Sequence, residues 1–171
     1  YIQYGTSIVM PPTFMGAHIS DVPNHQTQRV TPMKLRADAS LCGQFGYELD
    51  ITKMSDEELA EVKKQIEFYK SVRDVIHNGS MYRIVSPFEE SRAAWEFVSE
   101  DKQTAVLCSY IMKKLPEMKH GRIKMRGLKE NALYRIRGTE HTFGGSVLMN
   151  YGIRAKEEKD YDSEILVFDM I

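Results

Sequence analysis

The spacing of hydrophobic positions changes once along the chain. Between Ser55 and Gly79 the apolar residues Leu59, Val62, Ile66, Tyr69, Val72 and Ile76 recur three and four apart, which is one face of an α-helix. Glu57, Glu61, Lys63, Lys64, Lys70 and Arg73 fall mostly elsewhere and should face water. Ser55-Asp56-Glu57-Glu58 opens the run as a capping box, in which hydroxyl and carboxylate each satisfy a backbone N–H of the other residue. Asn78-Gly79 is expected to close it through a left-handed turn.

Before this helix the pattern alternates between strand and helix. Tyr1-Ile2-Gln3-Tyr4 reads as the tail of a helix, so the chain is expected to begin inside a larger protein. Phe14 to Ser20 is a near-continuous apolar run, expected to be a parallel strand buried on both faces. Asp21 to Gln28 is polar, holds Pro23 and should be a loop. Thr31-Pro32 looks like a helix start, with Leu35, Ala39 and Cys42 on one face and Gly43 as the stop. Phe45 to Ile51 is a second strand. Strand–helix alternation of this kind predicts parallel βα units with helices packed outside.

After Gly79 the period shortens to two. Met81–Val85, Ala94–Val98, Thr104–Ile111, Arg122–Met125, Leu133–Ile136 and Ile165–Phe168 are expected strands, separated by Ser86-Pro87, Glu100–Lys102, Gly127 and Gly138-Thr139. The expectation is antiparallel, with one face in the core and one in water. Lys156 to Asp160 should be a solvated charge run before the last strand. The pattern therefore predicts α/β followed by all-β, divided at residues 1–79 and 80–171.

The 171 residues suffice for one or two domains with a real core. Net charge is −1, with 8 Lys/Arg against 10 Asp/Glu in residues 1–79 and 15 against 14 in residues 80–171, so no nucleic-acid surface is expected. No apolar run approaches the ~20 residues of a membrane helix, and no membrane partner is expected. Cys42 and Cys108 form neither a CxxC pair nor a disulfide framework and read as buried thiols of a reducing, cytoplasmic compartment.

The densest polar cluster is His18 to Gln26, at and beyond the C-terminal end of the first strand, the end that carries ligands in parallel α/β folds. His18, Asn24 and His25 are the candidates for lining a pocket; the alternative packs His18 into the fold and gives His25 a role in stabilising the loop. Two His residues seven apart around Asp21 lack a metal-ligand spacing, and no metal or cofactor is expected. Glu48 and Asp50 could pair as in glycoside hydrolysis, although a carboxylate at a strand end also serves as a cap or salt-bridge partner. Trp95, the only tryptophan, alternates as a core residue and not as a sugar platform. Asn78-Gly79-Ser80 matches a glycosylation pattern, but the helix end explains the same Asn-Gly without any sugar and is the preferred reading.

The ordered series of short motifs carries more than any one residue. Ile2-Gln3-Tyr4-Gly5-Thr6-Ser7, Pro11-Pro12, Met15-Gly16-Ala17-His18-Ile19-Ser20, Val22-Pro23-Asn24-His25-Gln26, Thr31-Pro32, Phe45-Gly46-Tyr47-Glu48-Leu49-Asp50, Ser86-Pro87-Phe88-Glu89 and Ala94-Trp95 follow one another. This series resembles the C-terminal portion of bacterial α-galactosidases, the melibiase-type glycoside hydrolases of family 36. The resemblance implies a retaining exo-hydrolase acting on terminal α-linked galactose, with a galactoside as partner and a possible homo-oligomer. It also implies the last two strand–helix units of a β/α (TIM-type) barrel, followed by a C-terminal antiparallel β-sandwich-like domain. The family's nucleophile follows a Lys-Trp pair, and its acid/base Asp sits in a Ser-Asp pair shortly before the Ile-Gln-Tyr-Gly-Thr-Ser stretch. Both places fall before Tyr1, and the Cys-Gly-rich substrate loop is also missing. No catalytic residue is therefore assigned in this chain, which by itself should be inactive. The reading from a different class is a non-enzymatic carbohydrate-binding or structural β module.

Overall fold

A computed structural model describes residues 1–115, 121–156 and 159–171. In chain order the elements are α1 (Ile2–Thr6), β1 (Gly16–Ser20), α2 (Met33–Ser40), β2 (Gln44–Glu48), α3 (Asp56–Asn78), β3 (Ser80–Val85), β4 (Arg92–Val98), β5 (Thr104–Ile111), β6 (Leu133–Ile136), β7 (Thr142–Gly144), α4 (Gly145–Asn150) and β8 (Asp162–Met170). Single 3-10 turns lie at Pro12–Phe14 and Ile51–Lys53.

The helix α3 forms as its sequence requires. Ser55 Oγ accepts the Glu58 N–H at 3.2 Å, and Glu58 Oε2 accepts the Ser55 N–H at 2.9 Å. Its buried face is Val62, Tyr69, Val72, Val75 and Ile76. Leu59, one turn from the start, stays exposed. The helix does not end in a left-handed turn: Gly79 is extended, with φ −79° and ψ 171°. Glycine is required there by crowding, because a Cβ would lie 2.4 Å from the Val75 oxygen and 2.5 Å from the Val98 oxygen.

β1 and β2 pair in parallel, with Gly16 opposite Gln44 and Ser20 opposite Glu48. The strand expected from Phe14 begins only at Gly16, because Pro12–Phe14 is taken up by the 3-10 turn. Nor is β1 buried on both faces. Ala17 and Ile19 are buried, whereas Gly16 and His18 are exposed. Helices cover one face, and no described residues cover the other. α2 begins one residue later than Thr31-Pro32 suggested: Pro32 occupies the cap position without a side-chain cap, and Thr31 instead gives its carbonyl to Arg36 Nε at 3.3 Å.

The remaining strands form one six-stranded antiparallel sheet in the order β3-β4-β5-β8-β6-β7. Its central strands differ from the expected half-buried pattern: β4 is buried at every position and β5 at all but Thr104. Both sheet faces are covered. Trp95, Phe97, Val106, Cys108 and Tyr110 pack with Leu41, Cys42, Tyr69, Val72 and Ile76 from the α/β segment. On the other face Ala94, Val98, Leu107 and Phe168 pack with Ile123, Met125, Leu128 and Leu148. The expected strand at Arg122–Met125 is a strap crossing that second face. It buries Ile123 and Met125 and makes a single bridge, Ile123 to Ile153. β7 and the six-residue α4 were not expected; β7 makes only three pairs, and neither element is long enough to show a period. Of the expected charge run at Lys156 to Asp160, residues 157 and 158 lie outside the described residues. No described helix is long and apolar enough to cross a membrane.

Candidate functional site

The site begins where β1 runs out. Side chains alternate along a strand, so burying Ala17 and Ile19 against the helices forces His18 onto the uncovered face. The imidazole is half exposed, not packed, and its Nδ1 lies 4.0 Å from Glu48 Oε2 on the neighbouring strand. Glu48 is itself 79% exposed. Gly46, directly opposite His18, makes room for the ring: a Cβ there would come within 2.9 Å of His18 Cδ2.

The following loop is built by Asn24. Its Oδ1 accepts the N–H groups of Gln26 (3.1 Å) and Thr27 (3.0 Å) and the Thr27 hydroxyl (3.2 Å). Its backbone pairs with Arg29 and Gln28, at 2.9 and 2.8 Å, and Gln28 takes a positive φ of 55°. The Asn24 side-chain oxygen is thus committed to the turn, as expected of an Asx residue. His25 is exposed on that turn, and its carbonyl accepts Gln28 Nε2 at 3.2 Å. Val22-Pro23 is a cis peptide.

Arg36 on α2, which the sequence reading did not single out, anchors the loop from behind. Its guanidinium donates to the carbonyls of Ser20 and Thr31, one on each side of the loop. Burial lowers its pKa, while Asp21, Glu58 and Tyr47 act in the opposite direction. Tyr47, beside Ile19 on β2, donates to Gln65 Oε1 at 2.7 Å, and burial pushes its phenol up to about 12.

The other candidates separate. Asp50 lies beyond β2 and caps the 3-10 turn, its Oδ1 accepting from Thr52 N (3.0 Å) and Oγ1 (2.6 Å), with Lys53 Nζ 3.4 Å from Oδ2. These hydrogen bonds hold it below the usual carboxylate range. Asp50 is therefore spent on its cap, whereas Glu48 stays exposed on β2. Trp95 is buried, its ring 4.7 Å from that of Tyr110. Cys42 and Cys108 are free and buried, the first pushed up to about 12 and the second well above its usual value by burial. Among the described residues no group of three His, Cys, Asp or Glu gathers as a metal site would. What remains is an open face with an imidazole, a carboxylate and a rigid polar turn. It can hydrogen-bond a hydroxyl-rich ligand.

One buried acid escaped the sequence reading. Glu96 sits on β4 with its side chain under the 122–128 strap, where Oε1 accepts the Arg126 N–H. Oε2 has no partner among the described residues, and burial pushes the carboxyl up to about 8.

Comparison with known proteins places both segments. Residues 1–79 match the melibiase family model, and residues 92–168 match the model of the glycosyl hydrolase family 36 C-terminal domain. The α-galactosidase AgaA of Geobacillus stearothermophilus is 43% identical over 152 residues, which are 89% of this chain and 21% of that protein. The bifunctional α-galactosidase/sucrose kinase AgaSK of Mediterraneibacter gnavus is 39% identical over 89% of this chain and 16% of its own length. The solved structure of AgaB from G. stearothermophilus superposes with a TM-score of 0.94 at 40% identity, covering 99% of this chain and 24% of that one. These matches define a family of glycoside hydrolases. The chain belongs to family 36, the melibiase type, and corresponds to its C-terminal portion. It spans about a fifth to a quarter of the length of most of these relatives.

Proposed function

We propose that this chain is the C-terminal part of a retaining α-galactosidase that removes terminal α-linked galactose from melibiose- and raffinose-type sugars. The observation that carries the reading is the match of two family models, one to each segment. Solved AgaA variants in complex with raffinose and with stachyose, at TM-scores of 0.93 and 0.94, support that substrate class. Residues 1–79 are the last two strand–helix units of a β/α barrel, and residues 80–171 form the C-terminal β-sandwich-like domain. The uncovered face of β1 and β2, with His18 pointing from it, suits strands whose remaining neighbours come from the rest of a barrel.

In this reading His18, Asn24 and His25 stand at the mouth of the pocket. His18 and His25 offer imidazoles to sugar hydroxyls, and Asn24 keeps the turn rigid. The nucleophile and the acid/base, which retaining hydrolysis holds ~5 Å apart, lie outside this chain. Buried free thiols fit a cytoplasmic enzyme. A homo-oligomer is part of the same proposal. The alternative of a non-enzymatic module is not favoured, because relatives along both segments are α-galactosidases. The test is steady-state kinetics of the intact enzyme carrying His18→Ala or His25→Ala. A several-fold rise in KM or fall in kcat is expected; wild-type kinetics in both variants at unchanged stability would remove them from the pocket.

A further inference from the structure

The joint between α3 and β3 carries a chemical consequence. The chain has four asparagines, and only Asn78 precedes a glycine, where no side chain shields the following amide nitrogen. That glycine is compulsory, because a Cβ at Gly79 would strike the Val75 and Val98 carbonyls. Close packing thus forces the most reactive asparagine dipeptide onto an exposed helix end. The same helix end restrains it. The Asn78 Nδ2 donates to Asp74 Oδ1 at 2.7 Å, and the Gly79 N–H donates to the Val75 oxygen at 3.0 Å.

We propose that Asn78 is a site of spontaneous modification whose rate is set by fraying of the last turn of α3. The Gly79 nitrogen attacks Asn78 Cγ, losing its proton as the new C–N bond forms, and the carboxamide nitrogen leaves as ammonia. Water then opens the cyclic imide at either carbonyl, giving aspartate or isoaspartate. Neither step can start while the Gly79 N–H is held by Val75 and the carboxamide by Asp74, so the turn must open first. Both products loosen the joint. A carboxylate four residues after Asp74, at a helix C-terminus, meets a like charge and the negative end of the helix dipole. Isoaspartate also inserts a methylene into the backbone between residues 78 and 79, one residue before Ser80, which is locked opposite Val98.

The experiment ages the full chain in mildly alkaline buffer, native and in urea, and maps the tryptic peptide from Asp74 to Arg83 by mass spectrometry with isoaspartate detection. Conversion of Asn78, with Asn24, Asn131 and Asn150 unchanged, is expected to run at least several-fold faster in urea. In the folded chain Asp74→Ala should speed it several-fold, and Asn78→Gln should abolish it. Equal rates in native and unfolded chain, no conversion in urea, or an Asp74→Ala rate no faster than the parent would each overturn the proposal.

Discussion

Replacing Glu96 by glutamine should change how stability depends on pH more than how stable the protein is. Glu96 lies under the 122–128 strap with one N–H donor, and its folded carboxyl titrates near 8 against an ordinary value of 4.5. Between those values the folded chain keeps a proton that the unfolded chain has released. Stability therefore falls as pH rises, by ~1.4 kcal/mol per pH unit, until the folded carboxyl also ionises. Across the whole interval the loss is ~4 to 5 kcal/mol, a large part of a typical domain's stability. Glutamine keeps the shape and the acceptor for the Arg126 N–H but carries no titrating proton. At about pH 5 the two proteins should differ little; near pH 8 Glu96→Gln should be the more stable by several kcal/mol. Urea unfolding followed by fluorescence of Trp95, the single tryptophan and a buried one, measures both curves. Groups not coupled to Glu96 titrate alike in the two proteins, so below the range of the buried Cys108 thiol their difference isolates Glu96. A difference that stays constant from about pH 5 to about pH 8 would refute the buried, protonated carboxyl.

Two further substitutions probe the packing of the α/β segment on the sheet. Gly79→Ala should destabilise by more than ~2 kcal/mol, although φ there suits any residue, since its Cβ meets two backbone oxygens; a midpoint in urea within error of the parent would show that the joint can relax. Ser163→Ala removes the 2.7 Å hydroxyl bond from β8 to Asp38 of α2, which also binds Lys34 at 2.6 Å, and should cost ~1 to 2 kcal/mol by the same assay; an unchanged midpoint would mean that Lys34 alone secures Asp38.

How far the sequence carried the fold depended on how local the cause was. α3 was legible from its capping box and apolar period, because both cap hydrogen bonds and the period lie within the helix itself; its close at Gly79 was not, because contact with the Val98 carbonyl of β4 sets it. β4 and β5 were legible as strands but not as central ones, since Glu96 between Trp95 and Phe97 fits a wet face that the strap in fact covers. The strap was misread for the same reason: Ile123 and Met125 alternate with Arg122, Lys124 and Arg126 like a strand, yet only one backbone bridge forms. At the candidate site the loop after β1 was legible from its position. The half-exposed setting of His18 was not, because it depends on which sheet face the helices cover. Arg36 was missed because its partners are carbonyls, which leave no mark on a sequence.

Under the proposed function this chain contributes to the pocket without holding the reacting carboxylates. The decisive assay uses the chain alone, at high concentration, with p-nitrophenyl α-galactoside. Asp21, Glu48 and Asp50 are the acids near the ends of β1 and β2; Glu48 is exposed, Asp50 is spent on its cap, and no held pair of carboxyls exists among them. Precise placement accounts for many orders of magnitude in rate, so no turnover above background is expected. Turnover that Asp21→Asn, Glu48→Gln or Asp50→Asn abolishes would contradict the claim and place the active site within these 171 residues.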